Sequence, residues 1–196
     1  MSIRQATLQD LPGAYRVCLE TGDSGQDATS LYLNPDVLGH VYVGPYMVGQ
    51  PHLAFVWADA GGVAGYVLGA EDTRAFEAWQ EEHWWPQLRE QYPLTRGSTR
   101  DDEAIRIFHS PPRAPDGVVA GYPAHLHIDL LARVRGQGTG RVLVERSLNA
   151  LGERGVSGVH LDVAADNPNA IAFYLHLGFE ELEPAPDSLF MGMRLV

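Results

Sequence analysis

The spacing of apolar and polar positions changes character several times along the chain, and each change marks a predicted element. Ser2–Ala6 alternates as a first strand. Thr7-Leu-Gln-Asp10 has the spacing of a capping box with Asp in the place of Glu, and it opens a helix predicted to reach about Thr21. A shorter helix is predicted from Asp27 to Leu38. The following HVYVGPYMVGQP is interrupted by Gly44, Pro45, Gly49 and Pro51, which predicts a loop beside a site or a partner surface. LAFVWAD and VAGYVLGA are β-rich runs on either side of Ala-Gly-Gly, which predicts a hairpin whose turn glycines can take positive φ.

Between Asp72 and Tyr92 the period becomes helical, with Phe76, Trp79, His83 and Leu88 three to five residues apart and Pro86 placed to kink or split the helix. Trp84-Trp85 is read as packing, with a homodimer face and a substrate lid as the alternatives. Residues 93–121, rich in Pro, Gly and charge, are expected to form a surface excursion with one short strand at AIRIF. After it the pattern sharpens into a strand over 124–130, a glycine loop, a helix from about Gly138 to Arg154 and a strand over 157–164. A helix over 167–177, ended by Gly178, and two strands close the chain. That order contains one right-handed β-loop-α-β unit.

Composition narrows the function classes. With 196 residues, 45% hydrophobic and 20% charged, and no repeat, the chain suits a single domain over 1–196 with one sizeable core. Its opening, MSIRQATLQDL, lacks the apolar run of a signal peptide, and no stretch approaches the roughly 18 apolar residues of a membrane span. A cytoplasmic protein without a membrane partner is expected. The single Cys18 has no internal disulfide partner and falls in the first predicted helix, where buried packing is expected. A net charge of −11 argues against a nucleic-acid partner and is compatible with a cationic substrate. All 14 basic residues are Arg, and Arg133, Arg135, Arg141 and Arg146 cluster around the glycine loop.

The stretch HLHIDLLARVRGQGTGR, residues 125–141, admits two chemistries. Strand alternation puts His125, His127 and Asp129 on one face and Leu126, Ile128 and Leu130 on the other, so a metal is one reading. Leu130 stands where the metallo-β-lactamase type of site continues with another His, and His160 and His176 stand alone, so no metal is expected. The second half carries the stronger signal. Arg133-Val-Arg-Gly136-Gln-Gly138-Thr-Gly140-Arg141 precedes a helix, and glycines let backbone N–H groups converge on an anion at the positive end of the helix dipole. No Gly-Lys-Ser/Thr follows, which excludes a Walker loop, and a dinucleotide fingerprint would want Gly or Ala at Arg141.

Arg133-x-x-Gly136-x-Gly138 after a strand resembles the acetyl-CoA loop of the GNAT superfamily of N-acetyltransferases. Asn167-Pro-Asn-Ala170-Ile-Ala-Phe-Tyr174-Leu-His-Leu-Gly178-Phe179 resembles the later helix of the same superfamily. GYVLGAEDTRAF, YPAHLHIDLL and AFYLHLGF are more narrowly similar to the acetyltransferase-like C-terminal domain of O-GlcNAcase and its bacterial stand-alone relatives, whose animal members have a degenerate glycine loop. The resemblance implies an α/β (α+β) GNAT fold. Its twisted mixed sheet would have about six to seven strands, helices on both faces, and parallel fourth and fifth strands that splay apart.

The same resemblance implies acetyl-CoA as co-substrate. Its pantetheine amides would pair with backbone near Ile128 and Leu130, and its pyrophosphate would take the N–H groups of Val134, Arg135, Gly136, Gln137, Gly138 and Thr139, with Gly140, Arg141 and Asn167 completing the site. Tyr174 is implied as general acid for the leaving thiol, and Asp129 as the base or amine-orienting group, with Asp162, His127 and a water chain as alternatives. The segments Thr21–Asp36 and Val41–Gln50 are expected to shape the acceptor site, with Asp23, Asp27 and Asp36 read either as attracting an amine or as caps and solvated charge. The acceptor is then an amine on a small molecule or a protein. Two further functions stay open: a catalytically inactive acetyl-CoA-binding or scaffold module, and a metallohydrolase.

Overall fold

The segments that alternate in the sequence join one sheet. β1 (Ser2–Gln5), β2 (Ala54–Asp59), β3 (Gly62–Ala70), β4 (Ala124–Leu130), β5 (Gly158–Ala164), β6 (Glu180–Pro184) and β7 (Ser188–Arg194) lie in the order β1-β2-β3-β4-β5-β7-β6. This is seen in a computed structural model that describes residues 2–195. Every neighbouring pair is antiparallel except β4 and β5, which are parallel. The β2–β3 hairpin turns at Gly62, whose φ of +90° needs a residue without Cβ.

Because strand side chains alternate, each central strand feeds two cores. Tyr66 and Leu68 of β3 pack with Val17 and Leu19 of α1 (Leu11–Leu19), Leu38 of α2 (Val37–Tyr42) and Met47 of α3 (Gly44–Gly49). Val67 of β3, Leu126 of β4 and Leu161 of β5 point the other way. They meet Leu143, Val144 and Leu151 of α8 (Thr139–Gly152) and Tyr174 of α9 (Pro168–Leu177). Helices therefore cover both faces. His125, His127 and Asp129, together with His160 and Asp162 of β5, lie on the α1–α3 side.

Three expectations give way to the structure. Residues Asp27–Leu38 hold a 3-10 turn at Thr29–Leu31 and only the first two residues of α2, and the interrupted HVYVGPYMVGQP contains the second half of α2 and all of α3. Pro45 sits in the first turn of α3, where proline lacks no needed donor. The glycines that look like loop punctuation are contact points: a Cβ on Gly39 would lie 2.3 Å from the Tyr15 ring, and one on Gly44 2.4 Å from Trp84. The stretch AIRIF is not a strand. It belongs to α6 (Arg100–His109), started by a capping box between Thr99 and Asp102 and burying Ala104 and Phe108 four residues apart.

The predicted break at Pro86 is real, dividing α4 (Thr73–His83) from α5 (Trp85–Gln91) at Trp84. Trp85, Leu88 and Phe108 join Val37 and Val41 in a third core, so the excursion over 93–121, which also holds α7 (Asp116–Gly121), is tied down against α2. The Trp pair serves packing: Trp85 is buried, and Trp84 Nε1 donates to the His40 carbonyl at 2.8 Å. Cys18 is buried in the first core.

Gly39→Ala is expected to destabilise the protein by about 1–3 kcal/mol, the usual cost of overpacking, because Tyr15 is itself packed. Gly117→Ala, where a Cβ meets nothing within 4 Å, should leave stability unchanged or raise it by up to about 1 kcal/mol. Urea denaturation of both variants checks the pair, and a neutral Gly39→Ala would refute the close-contact reading.

Candidate functional site

The parallel pair is where the sheet opens. β4 and β5 are in register only at Ala124↔Val159 and His125↔His160. The Leu131 N–H donates to the Ala64 carbonyl of the β3 side at 2.9 Å, so the amides of Asp129 and His127 turn toward β3 as well. Those of Leu126, Ile128 and Leu130 turn the other way, toward the opening. Beyond His125 that edge of β4 has no strand partner, apart from the Leu130 carbonyl, which accepts from Arg135 Nε at 2.7 Å.

Just past β4 the chain makes a 3-10 turn at Ala132–Val134, in which the Val134 and Arg135 N–H groups donate to Leu131 and Ala132. From Gly136 through Arg141, six consecutive N–H groups have no acceptor among the described residues. Gly136 and Gly138 have φ of +72° and +81°, and a Cβ on either would meet nothing within 4 Å, so the glycines shape an open cradle at the start of α8. Gly140 is different: its Cβ would lie 3.1 Å from Phe173, which makes it a packing glycine of the helix. The free donors thus begin two residues later than Val134. They form an anion-binding row backed by a helix N-terminus.

The clustered arginines are mostly engaged. Arg133 pairs with Asp59 at 3.0 Å, and Arg135 reaches the carbonyls of Leu130 and Gly25. Arg141 lies 3.5 Å from Glu145, and the Arg146 guanidinium stacks over Phe55. Asn167 caps α9, its Oδ1 accepting from the Ala170 N–H at 3.1 Å while its Nδ2 points to the Ser24 carbonyl. Arg135 and Asn167 therefore hold the loop at Asp23–Gln26 across the opening.

On the sheet face below the opening, Asp129 Oδ2 accepts from the Tyr66 hydroxyl at 2.5 Å and lies 3.1 Å from His127 Nε2. Tyr66 is fully buried, and burial with the Asp129 charge pushes its phenol well above the usual value, so it stays a proton donor. Tyr174 is also buried, between Phe173 and Phe179, and burial followed by the Asp129 charge raises its pKa. Asp162 stands across the opening, exposed, with its carboxyl raised by desolvation and eased back by Ser188.

A cavity of about 470 Å³ adjoins this cluster. Val41, Tyr42 and Tyr46 help to wall it, as the Val41–Gln50 expectation has it, but nothing from Thr21–Asp36 does. Asp27 closes its own turn onto Thr29, and Asp23 and Asp36 lie elsewhere. His125, one of the three possible metal ligands, is held between Tyr46 and Thr73 at 2.9 and 2.8 Å. Sequence reasoning overlooks Tyr46, Tyr66 and Thr73 because each comes from a distant element, and it leaves His160 alone although the β4–β5 register sets it beside His125.

Comparison with known proteins agrees with this geometry. The acetyltransferase (GNAT) family model matches residues 26–179. A solved structure, SsHAT, is 38% identical with a TM-score of 0.93, covering 100% of this chain and 98% of that one. Protein O-GlcNAcase of Rattus norvegicus is 26% identical over 92% of this chain, which spans only 20% of that protein's length. YncA of Salmonella typhimurium, a putative acetyltransferase solved with acetyl-CoA, shares the fold at a TM-score of 0.60 and 15% identity, covering 100% of this chain and 94% of that one. With a family match over most of its length and the parted parallel strands beside a glycine cradle, this chain belongs to the GNAT acetyltransferase family.

Proposed function

We propose that the protein is an acetyl-CoA-dependent N-acetyltransferase acting on a primary amine. The observation that carries this reading is the row of six free N–H groups from Gly136 to Arg141, opening directly onto the unpaired edge of β4. Gly136, Gln137, Gly138, Thr139, Gly140 and Arg141 would hold the pyrophosphate, and the amides of Ile128 and Leu130 the pantetheine. Acetyl-CoA supplies an activated acetyl group, its C–S bond breaking as the C–N bond to the amine forms.

The chain's own residues then manage protons. The Tyr66 O–H donates to Asp129 Oδ2, and Tyr66 Oη lies 3.3 Å from His127 Nε2, so the buried phenol links the carboxylate to the imidazole. Because the Tyr66 proton is committed to Asp129, Tyr66 Oη accepts from His127 Nε2–H and His127 presents Nδ1 as the acceptor, so His127 takes the amine's proton while Tyr66 and Asp129 orient its ring. This assigns Asp129 the orienting role. Tyr174, protonated across the working range because its pKa is raised, holds the proton for the leaving thiol. Asp162 is left to the acceptor.

Three outcomes test the reading. Acetyl-CoA should raise the melting temperature by mass action, and Gly138→Val should abolish that shift while the protein remains folded. A folded variant with an unchanged shift would remove the cradle assignment. Tyr174→Phe should lower kcat by about 10²-fold, within the range of general-acid contributions, with the acetyl-CoA shift retained. Steady-state kinetics on an amine panel measures this, and unaltered kcat would clear Tyr174 of the role. His127→Ala should lower kcat by a comparable factor and change the pH profile of kcat/KM, which a merely structural residue would leave in shape.

A further inference from the structure

The floor of the cavity next to His127 has a proton arrangement that follows from two neighbouring carbonyls, those of Tyr122 and Pro123. The Thr73 hydroxyl donates to the Pro123 carbonyl at 2.8 Å, which commits its one proton. Thr73 Oγ1 must therefore accept from His125 Nδ1–H, 2.8 Å away. His125 Nε2 is then the lone-pair side and accepts the Tyr46 hydroxyl proton at 2.9 Å. Tyr46 Oη is left with lone pairs only.

His160, only 3% exposed, gives its Nδ1 proton to the Tyr122 carbonyl at 2.7 Å. Its other nitrogen is a lone pair, has no hydrogen-bond partner among the described residues, and belongs to a ring that lines the cavity. Burial lowers the pKa of both imidazoles, His125 to about 3, so neither carries a proton that would reverse these roles. Asp162, two residues along the same face of β5, adds a carboxylate. Tyr46, His160 and Asp162 thus present acceptors alone.

Charge agrees with this polarity. The lining has three carboxylates against one guanidinium, Arg113; Glu77 is shared by Arg113 at 3.2 Å and Arg74 at 2.8 Å, which leaves Asp162 and Asp187 as the carboxylates without a paired guanidinium among the described residues. The lining also has donors, but they are neutral apart from Arg113: Gln80, Trp85 and the hydroxyls of Tyr42 and Ser188. Between these polar groups the walls are apolar, with Val41, Ile107 and Phe190. A ligand that satisfies such a surface is rich in N–H donors at one end, positively charged, and aliphatic in between.

We propose that the cavity selects as acceptor a small aliphatic diamine, whose first amine faces His127 for acetylation while its second, as an ammonium, donates to His160 Nε2, Tyr46 Oη and Asp162. This rests on the acetyltransferase reading and adds the substrate class to it. A lysine side chain of a peptide would offer one amine and an amide backbone in place of the second ammonium, which leaves the acceptor floor without a cationic partner.

The test is initial-rate kinetics of the whole chain with acetyl-CoA and three acceptors: a four-carbon aliphatic diamine, pentylamine, in which a methyl replaces the second ammonium, and a lysine peptide. The diamine should exceed pentylamine in kcat/KM by about ten- to hundredfold, the range of a charge-assisted hydrogen bond, mainly through KM. Asp162→Asn should shrink that ratio to within about threefold. Asp162 is exposed, and retention of the acetyl-CoA thermal shift verifies that Asp162→Asn is folded. Equal kcat/KM for diamine and pentylamine, an unchanged ratio in Asp162→Asn, or a better lysine peptide overturns the diamine assignment and leaves the acetyltransferase standing. Failure of every amine to react while acetyl-CoA still raises the melting temperature overturns both.

Discussion

The parting of β4 and β5 after only two register pairs is the constraint on which the site depends. A parallel pair joined along its length would satisfy the amides of Ile128 and Leu130 and close the sheet. Here the ladder ends at His125↔His160, so one edge of a central strand is left unpaired in the middle of the fold. An unpaired edge inside a protein is a template for any extended chain with amides of its own. The glycine cradle begins immediately beyond that edge, so one opening offers a backbone partner for amides and a row of N–H groups for an anion.

The same register places the chemistry. Because His125 and His160 are the last paired residues, every second residue after them on either strand faces the same gap: His127 and Asp129 on β4, Asp162 on β5. Tyr66 arrives from β3 opposite Asp129, where its buried phenol fixes one carboxylate oxygen. The floor of the cavity follows from hydrogen-bond arithmetic of the same kind. Two successive carbonyls in the turn before β4 take protons from Thr73 and His160, and the tautomers of two histidines follow. Polar groups in this region determine one another's proton positions, so their chemistry is collective.

Much of this was readable in the residues. Alternation located five of the seven strands closely, left the last two without bounds, and placed His125, His127 and Asp129 on one face, and the spacing of Arg133, Gly136 and Gly138 located the cradle. The failures have definite causes. Gly39, Gly44 and Gly49 look like turn residues because a short sequence window cannot show that Tyr15, Trp84 and Trp79 occupy the space of the absent Cβ atoms. AIRIF is rich in β-branched residues, and its helical state comes from the Thr99–Asp102 cap and the burial of Phe108 against α2 and α5, contacts that tertiary packing supplies.

Sequence alone determined the local rules: which segments alternate, where glycine permits positive φ, and which ionisable groups share a strand face. These depend on neighbours within a few residues, so they are written into the order of the chain. Tertiary structure decided what those groups became. It tied Asp129 to the buried Tyr66 hydroxyl, joined Asn167 to the Ser24 carbonyl, moved the free donors to Gly136–Arg141, and converted an isolated His160 into a cavity-floor acceptor. Where a proton or a lone pair points decides the outcome, and that direction is set by partners far along the chain, 63 residues away for Tyr66 with Asp129 and 38 for Tyr122 with His160.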